Sequence, residues 1–511
     1  MNLSRRNFFI GGAAFASLGA FGGNRFFAAA PGVREGEKPR LRFGVLSDIH
    51  ITRVGADEKM SAFGNNLTFK HALEWFRSQG VDAVVIAGDM ADKGMDVNLL
   101  AVAEAWYSVF PDDKYPDGRP VSKVFVTGNH DWSGYNYGAA AAKMFPDKAE
   151  REKHILQRDM AGWWRRVFHE DYSPIYLKTV KGFTFIGSHW DMAQKGPGRR
   201  GAMFSLVKDF MSKNGGKLDP ALPFFYVQHP HLKDTCYGSW AWGHDAGVAT
   251  ETLSAYSNAI AFSGHSHYSL TDGRSIWQGA FTSVGTGSLR YTGKPFSEFK
   301  QNTCENLGHA DWRVDARKLM RQFGNTGDCR QGMLWSVYGD CIAVRRREFL
   351  SDLDLGEDWV LPLQSAEPRP FAFAEHAKRM RAPEFPAKAR IAVSEMDARN
   401  RGGKSKDGKE TIPSEKKPSF KVTVPPVAPD DKARLYLLEF VAKSADGKSQ
   451  TKRVLPAGYN HSLKHKSSAT RHVCYFRKDE LGTGDVQFTV TPLNCFGARG
   501  KPLTACYKTK A

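Results

Sequence analysis

Leu41-Arg42-Phe43-Gly44-Val45-Leu46-Ser47-Asp48-Ile49-His50 is a nearly continuous apolar run that closes on two side chains able to bind a cation. Its first seven residues read as a strand buried on both faces, the kind found in a parallel sheet with helices outside. The strand period of two puts Asp48 and His50 on one face, so both can reach the same ion. Outward from this stretch the pattern repeats. Residues 81–87 and 121–126 are further apolar strands, and 67–79 and 99–109 carry helical apolar spacing between them. The order β-α-β-α-β predicts an α/β fold.

Each further strand also closes on polar residues. Strand 81–87 ends at Gly88-Asp89, and 121–126 leads to Gly128-Asn129-His130-Asp131. Strand 222–228 ends at His229-Pro230-His231, and 259–263 at Gly264-His265-Ser266-His267. Alone, a Gly-Asp or an Asp-x-His means little. Five such clusters at five strand ends predict one site, because open α/β sheets place their ligands at the carboxyl ends of strands. Glycines 88, 128 and 264 would let the backbone turn there. His229 and His231 compete for one place. The position directly after the strand favours His229 and leaves His231 beside a substrate or in a structural role. The middle of the chain reads as a helix over 149–168, strands near 175–178 and 183–187, and later strands over 277–282 and 341–346. His189, after strand 183–187, reads as core or as a support behind the ligands.

In this order the clusters resemble the calcineurin-like metallophosphoesterases, over roughly residues 40–352. The resemblance implies two facing β-sheets with helices outside, a four-layer α/β/β/α sandwich. It implies that Asp48, His50 and His267 hold one metal ion, that Asn129, His229 and His265 hold a second, and that Asp89 bridges them. It also implies hydrolysis of phosphate mono- or diesters by a metal-activated hydroxide, with His130 stabilising charge or protonating the leaving oxygen. Asp131 is either the partner that orients His130 or a strand-end cap. Nitrogen and oxygen ligands without thiolate suit Fe, Mn or Zn, with the identity left open. The aromatic loops after the third and fourth clusters, with Trp132, Tyr135, Tyr137, Tyr237, Trp240, Trp242 and His244, are candidates for a substrate rim or for ordinary packing. Arg290 and Arg199-Arg200 are candidate phosphate contacts or solvated surface.

The ends of the chain read differently. Ser4-Arg5-Arg6-Asn7-Phe8-Phe9 followed by the Gly/Ala-rich stretch 10–23 resembles a twin-arginine export signal over residues 1–30. That places the mature chain in the periplasm or outside a bacterial cell, with no later run apolar enough to span a membrane. Prolines at 362, 368, 370 and 383 mark 353–382 as a linker. Residues 383–511 alternate in short strands, near 389–393, 420–424, 434–440, 451–455, 471–476 and 486–491, around a polar loop over 399–417; they predict a small all-β sandwich. Its stretch 486–503 is similar to the penultimate strand and turn of fibronectin type III domains.

The 511 residues carry a net charge of +18, and 41% hydrophobic and 12% aromatic content excludes a disordered chain. Residues 383–511 hold 25 Lys and Arg against 13 Asp and Glu, two-thirds of that excess. This basic module invites a polyanion such as a glycan, a lipid headgroup or nucleic acid. Two alternatives to the enzyme follow, a surface polyanion-binding protein with a vestigial metal site and a nuclease. The seven cysteines are too widely spaced for a zinc ribbon. An exported chain permits disulfides; buried small hydrophobes are the equally good reading.

Overall fold

A computed structural model describes residues 36–52, 64–94, 96–133, 147, 149–150, 153, 157–192, 201–238, 241, 243–293, 329–363, 368–400, 403–404, 409–413 and 415–508. The N-terminal part contains β1 (Leu41–Leu46), α1 (Gly64–Ser78), β2 (Ala83–Ala87), α2 (Asp96–Val109), β3 (Ser122–Val126), α3 (Asn129–Ser133) and α4 (Met160–Phe168). It continues with β4 (Ile175–Val180), β5 (Phe183–Ser188), α5 (Gly201–Asn214), β6 (Phe224–Gln228), α6 (Val248–Leu253), β7 (Ala259–Ser263), β8 (Ile276–Gln278) and β9 (Thr282–Gly285). It closes with β10 (Gln331–Val337), β11 (Cys341–Glu348), β12 (Leu353–Asp354), β13 (Trp359–Pro362) and α7 (Phe373–Arg379).

These strands form two sheets. One runs β12-β11-β10-β1-β2-β3 with β13 beside β11; the other runs β4-β5-β6-β7-β9-β8. β1, β2 and β3 are parallel, as are β5, β6, β7 and β9. The two-residue alternation sorts their side chains. Phe43, Val45, Val85 and Val124 point between the sheets and meet Phe185, Phe225 and Phe262. Val84, Ile86 and Phe125 point the other way, onto α1, α2 and α4. Tyr226 and Ala261 meet α5 and α6 outside the second sheet. Phe69, Ala72, Leu73 and Phe76 lie at the spacing of one helical face, which is why α1 buries that face. Gly80, with φ +70°, ends the turn that follows it. The result is the four-layer arrangement of helices, sheet, sheet and helices.

Some elements differ from the sequence expectation. The single strand anticipated over 277–282 is a hairpin of β8 and β9, whose turn closes through Gly279 N–H to the Phe281 carbonyl. Strand β10 and helices α5 and α6 were not anticipated. Gly332 interrupts the apolar run of β10 because a Cβ there would lie 2.4 Å from Leu46. Segment 353–382 is not a bare tether, since β12 and β13 pair with β11 and α7 follows. Of its prolines, Pro362 closes β13, an edge strand, where Pro is tolerated.

The C-terminal part holds β14 (Ala392–Asn400), β15 (Gly403–Lys404), β16 (Thr411–Ile412), β17 (Glu415–Val424), β18 (Leu437–Ser444), β19 (Ser449–Val454), β20 (His472–Arg477), β21 (Val486–Leu493) and β22 (Leu503–Tyr507). Its main sheets are β14-β17-β20 and β19-β18-β21-β22. Phe420, Val422, Phe440, Phe476 and Phe488 fill the space between them. The ends of the anticipated 399–417 loop belong to the β14–β17 ladder, which pairs as far as Asn400 with Glu415. Among the described residues the six cysteines are unbridged and no helix is long and apolar enough to cross a membrane. Residues 1–30 and Cys304 lie outside the described residues.

Candidate metal centre

The carboxyl ends of β1, β2, β3, β6 and β7 meet at one edge where the two sheets abut. Backbone bonds knit that edge together. Asp48 N–H donates to the Gly88 carbonyl at 3.0 Å, and His50 N–H to the Asp89 carbonyl at 2.9 Å. Within the second sheet Gly264 N–H donates to the His229 carbonyl at 2.8 Å, and across the two sheets Leu289 N–H donates to the Ser47 carbonyl at 3.1 Å. His265 N–H also donates to the Asp48 carboxylate at 3.1 Å. Asp48, His50, Asp89, His265 and His267 all have φ between 49° and 70°. Left-handed backbone at five neighbouring non-glycine residues is strain of the kind that collects at functional sites.

Three overlapping groups of candidate ligand atoms result among the described residues: Asp48, His50 and His267, all buried; Asp89 and His229 with the half-buried His265; and His50 and Asp92 with the half-buried His130. His267 Nε2 lies 3.0 Å from Asp48 Oδ1 and 3.2 Å from His50 Nε2. His229 Nε2 lies 3.1 Å from Asp89 Oδ2 and 3.1 Å from His265 Nδ1. Asp89 Oδ2 is also 3.7 Å from His50 Nε2, so this carboxylate stands between the clusters. Outer acceptors set the tautomers. His229 Nδ1–H donates to the Ala87 carbonyl at 2.8 Å and His267 Nδ1–H to the Tyr291 carbonyl at 3.1 Å. Each therefore turns Nε2 inward, as metal-ligating histidines do.

The electrostatics favour a cation. Burial pushes His50 down to about 4, and it also drives His265 down, so both offer bare lone pairs. Burial opposes ionisation of Asp48, yet the neighbouring His267 holds its carboxyl down to about 2. Against burial, the Asp89 carboxylate holds His229 up to about 9. The carboxylates thus draw positive charge to His229, where a metal ion would replace a proton. Facing imidazole nitrogens and buried carboxylates fit metal ions well.

The glycines serve close approach. A Cβ on Gly128 would lie 2.2 Å from Asp89 Oδ1, and one on Gly88, at φ +85°, 2.4 Å from the His229 ring. Glycine there leaves room for the ligands themselves.

Residues 41–269 match the family model of the calcineurin-like phosphoesterases. That stretch is a calcineurin-like phosphoesterase domain. Phosphoesterases of this family are metal-dependent hydrolases with a dinuclear centre, and the two clusters are its candidate ligands here. No curated protein matches the chain. Among solved structures, a dimetal phosphatase from Danio rerio is similar at 11% identity and TM-score 0.35, over 64% of this chain and 100% of its own. Purple acid phosphatase PPD1 from yellow lupin (Lupinus luteus) is similar at 13% identity and TM-score 0.35, over 63% of this chain and 53% of its own.

Around these candidate ligands the structure sorts the other residues. Asn129 opens α3, buried beside Gly128. His130 follows it, with N–H donated to Asp89 Oδ1 at 2.8 Å and Nδ1–H to the Asp92 carbonyl at 2.7 Å. Asp131 does not orient His130. Its carboxylate accepts the N–H groups of Ala91 and Gly128, both at 2.7 Å, and of Met90 at 3.3 Å. It is a strand-end cap that pins the 88–91 turn to the 128–131 turn, and burial with Asp89 nearby pushes its carboxyl up to about 7.

Trp132 is core rather than rim, because α3 turns it inward against α2 and α4. Tyr237 is likewise buried, against Tyr268. His231 is not in the cleft. Its Nδ1 meets Ser263 Oγ at 2.9 Å and its Nε2 meets Ser266 Oγ, behind the 264–267 turn. His189 is buried and accepts the Thr127 N–H through Nδ1 at 3.0 Å, a support for the turn at 127. Tyr135, Tyr137, Trp240, Trp242 and Arg199-Arg200 lie outside the described residues.

The clusters do not mark three neighbours that the fold supplies. Trp190 lies against the rings of His229 and His265. Tyr291 stacks on His267 at 4.2 Å. Asp92 Oδ1 stands 3.4 Å from His50 Nδ1 and accepts from the Arg290 guanidinium. Arg290 is therefore tied to the ligand shell through Asp92. His50 and Arg290 hold the Asp92 carboxyl well below its ordinary range although burial opposes this. Asp92→Asn is expected to weaken metal binding by about 10–100-fold, the usual cost of losing a carboxylate behind a ligating histidine. Metal titration of the purified variant checks this, and wild-type affinity would show that His50 is held by other contacts.

Proposed function

We propose that this chain is an exported dinuclear-metal phosphohydrolase that cleaves phosphate mono- or diesters. The observation that carries the reading is the convergence of two His/Asp clusters on one sheet edge, with Asp89 between them. Asp48, His50 and His267 would hold one ion and Asn129, His229 and His265 the other, with the Asp89 carboxylate available to both. Two ions when bound supply Lewis acidity for the phosphoryl oxygens and an acidified water. The protein's own residues do the rest. His130, with Nδ1–H committed to the Asp92 carbonyl, exchanges a proton through Nε2 with the leaving oxygen. Arg290 offers its guanidinium beside the ligand shell, and Trp190 and Tyr291 form apolar walls against the ligand rings.

Export is supported by the paired Arg5-Arg6 and the 10–23 stretch. A fibronectin type III-like assignment for 383–511 is supported by its three-strand and four-strand sheets and by 486–503 falling on the penultimate strand. The basic excess of this part supports contact with anionic glycans or lipid headgroups.

The test is a screen of aryl phosphate mono- and diesters with the full chain, recording metal content on the same sample. Turnover with added Mn²⁺ that disappears on chelation is expected. A protein that holds two ions and hydrolyses none of these esters, with Mn²⁺, Fe or Zn²⁺, would favour the vestigial-site alternative.

A further inference from the structure

His267 has φ 58°, so its inward aim depends on what surrounds it. Residues 267–269 are zipped to 291–293. Gly293 N–H donates to the His267 carbonyl at 2.7 Å, Ser269 N–H to the Gly293 carbonyl at 3.0 Å, and Tyr291 both accepts from His267 and stacks on it. This pair of segments is in turn gripped from the C-terminal sandwich. The grip comes from Tyr459 and Asn460, in the connection between β19 and β20. Asn460 Nδ2 donates to the Thr292 carbonyl at 3.2 Å. The Asn460 carbonyl accepts from Gln331 Nε2 at 2.6 Å and from Cys329 Sγ at 2.7 Å. The Tyr459 carbonyl accepts from Thr271 Oγ1 at 2.7 Å, while Gln331 Oε1 accepts the Leu270 N–H at 2.7 Å. Thr271, Thr292, Cys329, Gln331 and Asn460 are all buried, so these bonds have no competing water.

We propose that the Tyr459–Asn460 turn of the C-terminal sandwich is a positioning element of the metal centre, holding the segments that carry His267 and Tyr291 against the Asp48–His50 half of the site. The sandwich is then part of the enzyme's active-site scaffold as well as an appended module. The other half, Asp89, His229 and His265, is built on β2, β6 and β7 and touches the turn nowhere among the contacts described. The turn therefore acts on one ion more than on the other. This rests on the reading that the two clusters bind metal.

The experiment is titration of the metal-free, full-length protein with Mn²⁺, with melting recorded alongside. Wild type should take up two ions. Asn460→Asp keeps the shape but turns an acceptor toward the Thr292 carbonyl, and should weaken one of the two sites by about 10–100-fold while leaving the other unchanged. Thr271→Val removes only the hydroxyl that reaches Tyr459 and should do the same more mildly, so the outcome does not hang on one variant's folding. Wild-type binding of both ions in both variants, or equal weakening of both sites, would overturn the proposal. A wild type that binds no Mn²⁺ at all would instead defeat the metal-centre reading.

Discussion

Asp89→Asn is expected to lower hydrolysis of an aryl phosphate by about three orders of magnitude while leaving the fold intact. Asp89 Oδ2 faces His229 Nε2 at 3.1 Å and His50 Nε2 at 3.7 Å, and Oδ1 accepts the His130 N–H. That carboxylate faces an imidazole nitrogen of each cluster. The amide keeps the shape, and an oxygen for His130, but removes the negative charge that two cations would share. It also points N–H hydrogens at one imidazole nitrogen. Metal ions contribute several kcal/mol of charge stabilisation in phosphoryl chemistry. At about 1.4 kcal/mol per tenfold in rate, losing the bridge costs on the order of 10³-fold. The measurements are kcat with saturating Mn²⁺ and metal content of the same sample. A variant that holds two ions and keeps more than about a tenth of wild-type turnover would remove Asp89 from its bridging role.

Most of the ligand set was readable because its strands are almost wholly apolar and stop where the ligands begin. Strands β1, β2, β6 and β7 each end within two residues of a candidate ligand, so the ends of the apolar runs single out Asp48, Asp89, His229 and His265, while their roles come from the family resemblance. What could not be read depends on how turns fold back on one another. Asp92 reaches His50 because Ile51 N–H pairs with the Met90 carbonyl and Asp92 N–H with the Ile51 carbonyl, a local ladder that no composition signal announces. Tyr291 follows no ligand cluster and reaches His267 only through the Gly293 pairing. Asp131 next to His130 suggested a dyad. Adjacent residues on a helix point about 100° apart, so the Asp131 carboxylate turned to the backbone of 90–91 instead. Trp132, one residue further on, went into the core for the same reason. The sandwich's grip on the 267–271 segment spans almost 190 residues of sequence and leaves no local trace.

The choice between His229 and His231 gives a second large effect and a clean contrast. Both are buried, both follow β6, and Pro230 separates them. His229 Nδ1–H is committed to the Ala87 carbonyl, which leaves Nε2 for an ion. His231 has each ring nitrogen against a serine hydroxyl, Ser263 on one side and Ser266 on the other. Burial pushes His231 down to about 3, so it is a neutral spacer that holds up the 264–267 turn. His229→Ala is therefore expected to lose one of two bound ions and, with it, about 10³-fold in turnover, on the same charge argument as for Asp89. His231→Ala should behave in the opposite way. It removes the imidazole that both buried hydroxyls meet, at about 1–3 kcal/mol for each lost bond, and opens a cavity. The melting temperature should then fall by several degrees, at roughly 2–4 °C per kcal/mol for a domain of this size. Both ions should remain bound, and turnover should stay within about tenfold of wild type, because only the support for the ligand turn is altered. Metal analysis and melting curves on the two variants separate these outcomes. A His231→Ala protein that melts like wild type but has lost an ion would make His231 the ligand, and the position directly after β6 would no longer identify it.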